Sequence, residues 1–231
     1  MTRGTLYGLG VGPGDPELLT LKAVRLLREA DVVAVPNRGG GEGTALHIVK
    51  DYVQDKPLLL CATPMVRDRQ ILDSAHDRIA GDICALLEEG KRVVFITLGD
   101  PTVYSTYLYI HRRVRERGYE AELVPGVPSF CAAAARLGRS LCEGSQRLLI
   151  VPASHKDVRN CLDMDANLVF MKAGWDLGAL KETLRRRGLL DRASLAANCG
   201  MAGEQLWQRF GDAPENTGYF SIVLVKRGET P

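Results

Sequence analysis

Metal and redox fingerprints are the first things this chain lacks. Its six cysteines, Cys61, Cys84, Cys131, Cys142, Cys161 and Cys199, include no Cys-x-x-Cys pair, and His47, His76, His111 and His155 lie far apart in sequence. No metal site is therefore expected, and a 231-residue chain needs no disulfide staples, so the cysteines read as reduced thiols. No apolar run reaches membrane-spanning length and no charged, apolar, small-residue leader follows Met1. Neither secretion nor membrane insertion is expected, and a cytoplasmic location follows. Strong charge is missing too: a net charge of +2 and a pI near 8.2 fall far short of a dedicated nucleic-acid binder, although they permit a polyanionic small substrate. There is no Gly-x-Ser-x-Gly elbow, no Gly-Lys-Ser/Thr and no internal repeat, so the serine-hydrolase and P-loop readings lose their usual support.

What is present is a core-forming chain, 45% hydrophobic, with three strand-end loops rich in glycine or proline. The apolar run Arg92–Thr97 leads into Leu98-Gly-Asp-Pro-Thr-Val-Tyr-Ser-Thr-Tyr107. Thr5–Tyr7 leads into Gly8-Leu-Gly-Val-Gly-Pro-Gly-Asp-Pro16, and a third loop is Val124-Pro-Gly-Val-Pro-Ser-Phe130. In open α/β sheets small ligands sit beyond the carboxyl ends of parallel strands, where helix N-terminal amides are free to meet them. The three loops point to one shared pocket.

Periodicity predicts strands at Leu6–Gly8, Val32–Val35, Leu58–Cys61, Val93–Thr97 and Glu120–Val124. Between them it predicts helices at Glu17–Ala30, with Asp15 as N-cap and Leu18, Leu21, Val24 and Leu27 as the apolar face, and at Ile71–Leu87 and Tyr104–Arg117. Asn37–Gly43 reads as a mobile loop. Pro125-Gly126 marks a domain joint, giving α/β domains over 1–124 and 125–231. The second is read as a helix at Ser129–Leu137, strands at Leu148–Val151, Leu168–Met171, Ser194–Asn198 and Phe220–Val225, and helices at Leu177–Arg187 and Glu204–Phe210. The last strand is placed antiparallel.

Each motif has a plain reading beside the functional one. Gly8–Asp15 fails Gly-x-Gly-x-x-Gly, with Pro13 in the final place counted from Gly8 and Asp15 counted from Gly10. It allows close backbone approach to a ligand or serves as a tight turn. Asp100 faces a ligand or caps the following helix, and Ser129 lines a pocket or only caps. Arg112-Arg113 and Arg185–Arg187 read as solvated helix faces.

Taken in order, Gly8–Ala23, Gly99-Asp-Pro101 with Tyr104-Ser105, and Pro125–Ser129 closely resemble the S-adenosylmethionine-dependent tetrapyrrole methyltransferases over nearly the whole chain. Within them the chain is most similar to the precorrin-2 or cobalt-factor II carbon-20 enzymes of cobalamin biosynthesis, through Thr102–Tyr107 and Tyr219–Val225. The resemblance implies two α/β domains with S-adenosyl-L-methionine in the cleft between them, release of S-adenosyl-L-homocysteine, and a homodimer. It also implies cofactor contacts from Pro13, Leu98, Gly99, Asp100, Val103, Thr106, Ser129, Phe130, Met171, Ala197, Asn198 and Ser221. A tetrapyrrole bearing eight carboxylates needs cationic or amide partners, for which Arg38, Arg67, Arg69 and Arg112 are expected, with Gly12, Gly14, Asp15 and Tyr107 completing the expected substrate-binding set. Asp15, Tyr107 and His111 are the candidates for a base that removes the displaced proton. Methylation elsewhere on the ring, and a protein methylase like diphthine synthase, are the competing readings. No nucleic acid or membrane partner is expected.

Overall fold

The computed structural model describes residues 3–37, 43–64, 66, 68–153, 158–174 and 176–227. Arg38 and Arg67, and most of the Asn37–Gly43 loop, lie outside them. The chain divides into two compact units, Met1–Pro128 and Ser129–Pro231.

In the first unit β1 (Thr5–Gly10), β2 (Val32–Asn37), β3 (Leu58–Ala62), β4 (Val93–Thr97) and β5 (Glu120–Val124) form a fully parallel sheet in the order β3-β2-β4-β1-β5. Successive side chains of a strand point to opposite faces, so both faces of a covered sheet must be apolar. Val94 and Ile96 accordingly pack with Ala23, Leu26, Leu27, Ile48 and Val49 of α1 (Leu21–Glu29) and α2 (Thr44–Val53). Val93 and Phe95 pack with Ile79, Ile83, Ile110 and Val114 of α3 (Arg69–Glu88) and α4 (Tyr107–Glu116).

Two helix expectations need correcting here. The helix predicted over Glu17–Ala30 is two pieces: Asp15 caps a 3-10 turn, Pro16–Leu18, by accepting the Glu17 N–H at 2.8 Å, and Thr20 caps α1 by accepting the Ala23 N–H at 3.1 Å. The restart turns the helix about its axis, so Leu21 is 91% exposed while Ala23, Leu26 and Leu27 are buried. Helix α4 begins at Tyr107 rather than Tyr104, because Tyr104 adopts φ +49° and the Ser105 hydroxyl accepts the Tyr107 N–H at 3.2 Å. Helix α2 was not anticipated from the sequence.

The second unit holds β6 (Leu148–Pro152), β7 (Asn167–Met171), β8 (Ala193–Ala197), β9 (Gln205–Trp207) and β10 (Ser221–Val225), in the order β6-β7-β10-β8-β9. Strand β10 runs antiparallel to both β7 and β8, as expected. Helices α5 (Ser129–Arg136), α6 (Val158–Cys161) and α7 (Leu177–Arg186) accompany the sheet. The segment read as a helix over Glu204–Phe210 is instead β9, paired antiparallel with β8, followed by a 3-10 turn, Phe210–Asp212. The buried Phe210 ring joins Phe170, Leu184, Leu195 and Val223 in this unit's core.

Candidate active site

Strands β1 and β4 are neighbours, yet the chain leaves β1 toward the α1 face and β4 toward the α4 face. This is the topological switch point of the sheet, where open α/β proteins hold their ligands. The two departing loops are tied to each other: the Gly12 N–H donates to the Gly99 carbonyl at 3.2 Å and the Gly99 N–H to the Gly12 carbonyl at 2.7 Å. Both glycines have positive φ, +74° and +71°. The loop after β5 comes in equally close, since a Cβ on Gly126 would lie 2.3 Å from the Gly99 carbonyl oxygen and one on Gly10 2.6 Å from the Gly126 nitrogen. Only backbone fits between these strand ends.

Asp100 fastens the third loop to the second. It is 8% exposed; one carboxylate oxygen accepts the Gly126 N–H at 3.0 Å, and the other accepts the Thr102 N–H at 2.7 Å and the Thr102 hydroxyl. The carboxylate expected to face a cofactor is thus largely committed to the loops. Around it Gly12, Pro13, Gly14 and Gly99 are buried, and Leu98, Val103 and Thr106 remain partly open.

Other expected residues fall elsewhere. Tyr107 is a correction: its ring is fully buried, tilted on Phe95 at 5.3 Å and filling the space that a side chain on Gly8 would need. Its hydroxyl lies 3.1 Å from His111 Nδ1 and donates to the Glu122 carbonyl at 3.5 Å. Burial pushes the Tyr107 hydroxyl far above the usual tyrosine range, and the fully buried side chain presents no surface to a substrate. His111 sits half-buried beside it, made less basic by burial and then by Arg115 and Arg112. Arg112 is exposed in the middle of α4 rather than in a strand-end loop, and one carboxylate oxygen of the partly exposed Asp15 caps its 3-10 turn. Ser129 and Phe130 open α5 in the second unit.

Met171, Ala197, Asn198 and Ser221 do gather at one edge of the second sheet, because β10 pairs Ser221 with Ala197 and Ile222 with Met171. Asn198 donates its N–H to the Phe220 carbonyl at 2.8 Å, and the buried Ser221 hydroxyl shares a 2.7 Å bond with that of Thr217. The described non-glycine residues with positive φ are Tyr104, Lys172 and Asn198. Lys172 and Asn198 directly follow β7 and β8, and Tyr104 lies in the loop between β4 and α4; backbone of this kind costs of order 1–3 kcal/mol each, tolerated mainly where the surroundings enforce it.

Sequence reading missed a pair of cavities beside α3. One, about 390 Å³, is walled by Thr63, Arg69, His76, Thr106 and Tyr109 among others. The second, about 780 Å³, shares Thr63 and Pro64 with it and adds Asn37, Gln70 and Arg78. Of the expected substrate residues, Arg69 lies here.

The match of residues 5–213 to the family model of Tetrapyrrole (Corrin/Porphyrin) Methylases agrees with this architecture, and the chain belongs to that family. The chain is 34% identical to the cobalt-precorrin-2 C(20)-methyltransferase of Salmonella typhimurium, with 97% of each chain covered. It is 31% identical to the precorrin-2 C(20)-methyltransferase of a Sinorhizobium species, over 96% of this chain and 95% of the relative. Among solved structures, a cobalt precorrin-4 methyltransferase superposes with a TM-score of 0.76 at 19% identity, covering 96% of this chain and 94% of its own. The Thermus thermophilus uroporphyrin-III C-methyltransferase complexed with S-adenyl homocysteine reaches 0.68 at 23% identity, covering 96% and 97%.

Proposed function

We propose that this protein transfers a methyl group from S-adenosyl-L-methionine to carbon 20 of precorrin-2 or its cobalt-loaded counterpart, as a cytoplasmic homodimer. The observation that carries the reading is the switch-point crevice, whose loops close backbone to backbone at Gly10, Gly12, Gly99 and Gly126. Such a cradle fits a cofactor held by main-chain groups, with Leu98, Val103 and Thr106 as its part-open rim. When bound, S-adenosylmethionine supplies an electrophilic methyl on a positively charged sulfur.

The residues of the chain have then to orient rather than to attack. In-line displacement depends on holding donor and acceptor at near-attack distance, and rigid loops locked by Asp100 contribute that. No side-chain nucleophile is required. Buried free thiols at Cys61, Cys84 and Cys199 suit a reducing compartment.

Carbon-13 methyl labelling followed by NMR of the product tests the reading. The label is expected on carbon 20 with precorrin-2 or cobalt-factor II as acceptor, and mass spectrometry of the metal-free and cobalt-loaded reactions separates the two substrates. A label on a pyrrole carbon overturns the ring position. Transfer to a protein acceptor in place of the ring overturns the substrate class.

A further inference from the structure

The loop joining β8 to β9, residues 198–204, is held in a shape that Asn198 resists. That residue stands at φ +50°, unfavourable for any side chain, and is followed by Gly200 at +74° and Gly203 at +79°. Bonds within the loop help to close it: the Met201 N–H donates to the Asn198 carbonyl at 2.9 Å and the Asn198 side-chain amide to the Gly203 carbonyl at 3.4 Å. A carboxylate adds another tie. Glu204, its side chain only 17% exposed, accepts the Gly200 N–H at 2.8 Å.

The same carboxylate reaches a second element. Arg136, at the end of α5, grips both Glu204 oxygens with its Nε, at 2.9 and 3.2 Å, and one of them with Nη2 as well. Arg136 holds the Glu204 carboxyl below its usual range against the opposing effect of burial, so the carboxylate is charged at neutral pH and both its bonds are charge-assisted. Next to this pair the Arg139 guanidinium donates to the Gln208 carbonyl at 2.9 Å and the Gln208 side-chain amide to the Leu137 carbonyl at 3.0 Å. The end of α5 is therefore fastened where β9 begins and ends. A helix is stiff along its axis, so fixing its last turn also fixes its first, where Ser129 and Phe130 stand about 10 Å away at ~1.5 Å per residue.

We propose that Glu204 is a positioning residue for the cofactor, holding the Asn198 turn through Gly200 and the first turn of α5 through Arg136. This rests on the S-adenosylmethionine reading above and adds what preorganises the contacts expected of Ser129, Phe130 and Asn198. Asp100 ties two loops of the first unit in the same way, one carboxylate taking donors from two segments.

Titration calorimetry of S-adenosylhomocysteine into the full chain, at a temperature where each variant is folded, tests the role. Glu204→Gln leaves one acceptor oxygen for two donors and turns an NH2 toward Arg136 or Gly200. Losing a charge-assisted hydrogen bond lowers the correctly arranged fraction to about a tenth, and the apparent affinity should fall about tenfold with it. Arg136→Met keeps the Gly200 bond but releases α5, and should weaken binding about three- to tenfold. Since both act through one carboxylate, the double variant should bind no more weakly than Glu204→Gln alone. KM for S-adenosylmethionine should rise by the same factors while kcat at saturating cofactor stays within about twofold. Glu182→Gln, an equal charge change on α7 whose partners Arg185 and Arg186 lie on its own helix, is the control and should bind as the parent does. Because Arg136 is exposed, its variant remains informative if Glu204→Gln does not fold. A lower melting temperature with parent-like affinity in either folded variant overturns the positioning role and leaves the methyltransferase reading standing. A parent chain that does not bind S-adenosylhomocysteine overturns the cofactor reading and this role together.

Discussion

Asp100 shows how one side chain decides the site. Its two oxygens accept three donors from two different loops, so its contribution to ligand binding runs through the loops it positions. Replacing it with Asn turns one acceptor into a donor facing either the Gly126 N–H or the Thr102 pair, and Ala removes both acceptors. Each loss should cost about 1–3 kcal/mol, and at ~2–4 °C per kcal/mol for a chain of this size both variants should melt several degrees lower and bind S-adenosylhomocysteine more weakly. Differential scanning calorimetry checks the first effect and titration calorimetry the second. An unchanged melting temperature with weakened binding would assign the carboxylate to the cofactor directly.

At the scale of elements, glycine at two kinds of position gives opposite expectations. In α3, Gly81 is exposed and a Cβ there would meet only the Arg117 guanidinium at 3.8 Å, an ordinary contact. Gly81→Ala should therefore stabilise by about 0.4–1 kcal/mol by restricting the unfolded chain. Gly126→Ala would instead drive a Cβ into the Gly99 carbonyl and the Gly10 backbone, which no rotamer relieves. It should destabilise by roughly 1–3 kcal/mol or more and abolish cofactor binding. Thermal melts of the two variants side by side test this, and an increase for both would remove the close-packed cradle.

For the whole molecule, the described residues hold no helix long and apolar enough to cross a membrane. Exposed apolar side chains are present all the same. Leu58 and Leu60, 43% and 61% exposed, lie on β3 at the open edge of the first sheet, a position that commonly needs covering. Light scattering at micromolar protein is expected to give twice the chain mass of 25.3 kDa. The monomer mass at that concentration counts against the proposed homodimer.

The strands were legible because continuous apolar runs such as Val93–Thr97 and Leu168–Met171 fit only a sheet covered on both faces, and the chain's glycines and prolines marked where those strands end. The loops Gly8–Asp15 and Leu98–Tyr107 were legible as ligand-facing for the same local reason. Where helices begin was not, since Thr20 competes with Asp15 as cap and the later start at Leu21 changes which face is buried. Nor could sequence show that Tyr107 fills the space above Gly8, or that Asp100 reaches Gly126 across 26 positions. The cavity at His76 draws Thr63, Arg69 and Thr106 from separate elements. Periodicity reports neighbours along one element. Only the packing of α3 and α4 beside the end of β3 brings those side chains together, and leaves the His76 Nδ1 without a partner among the described residues.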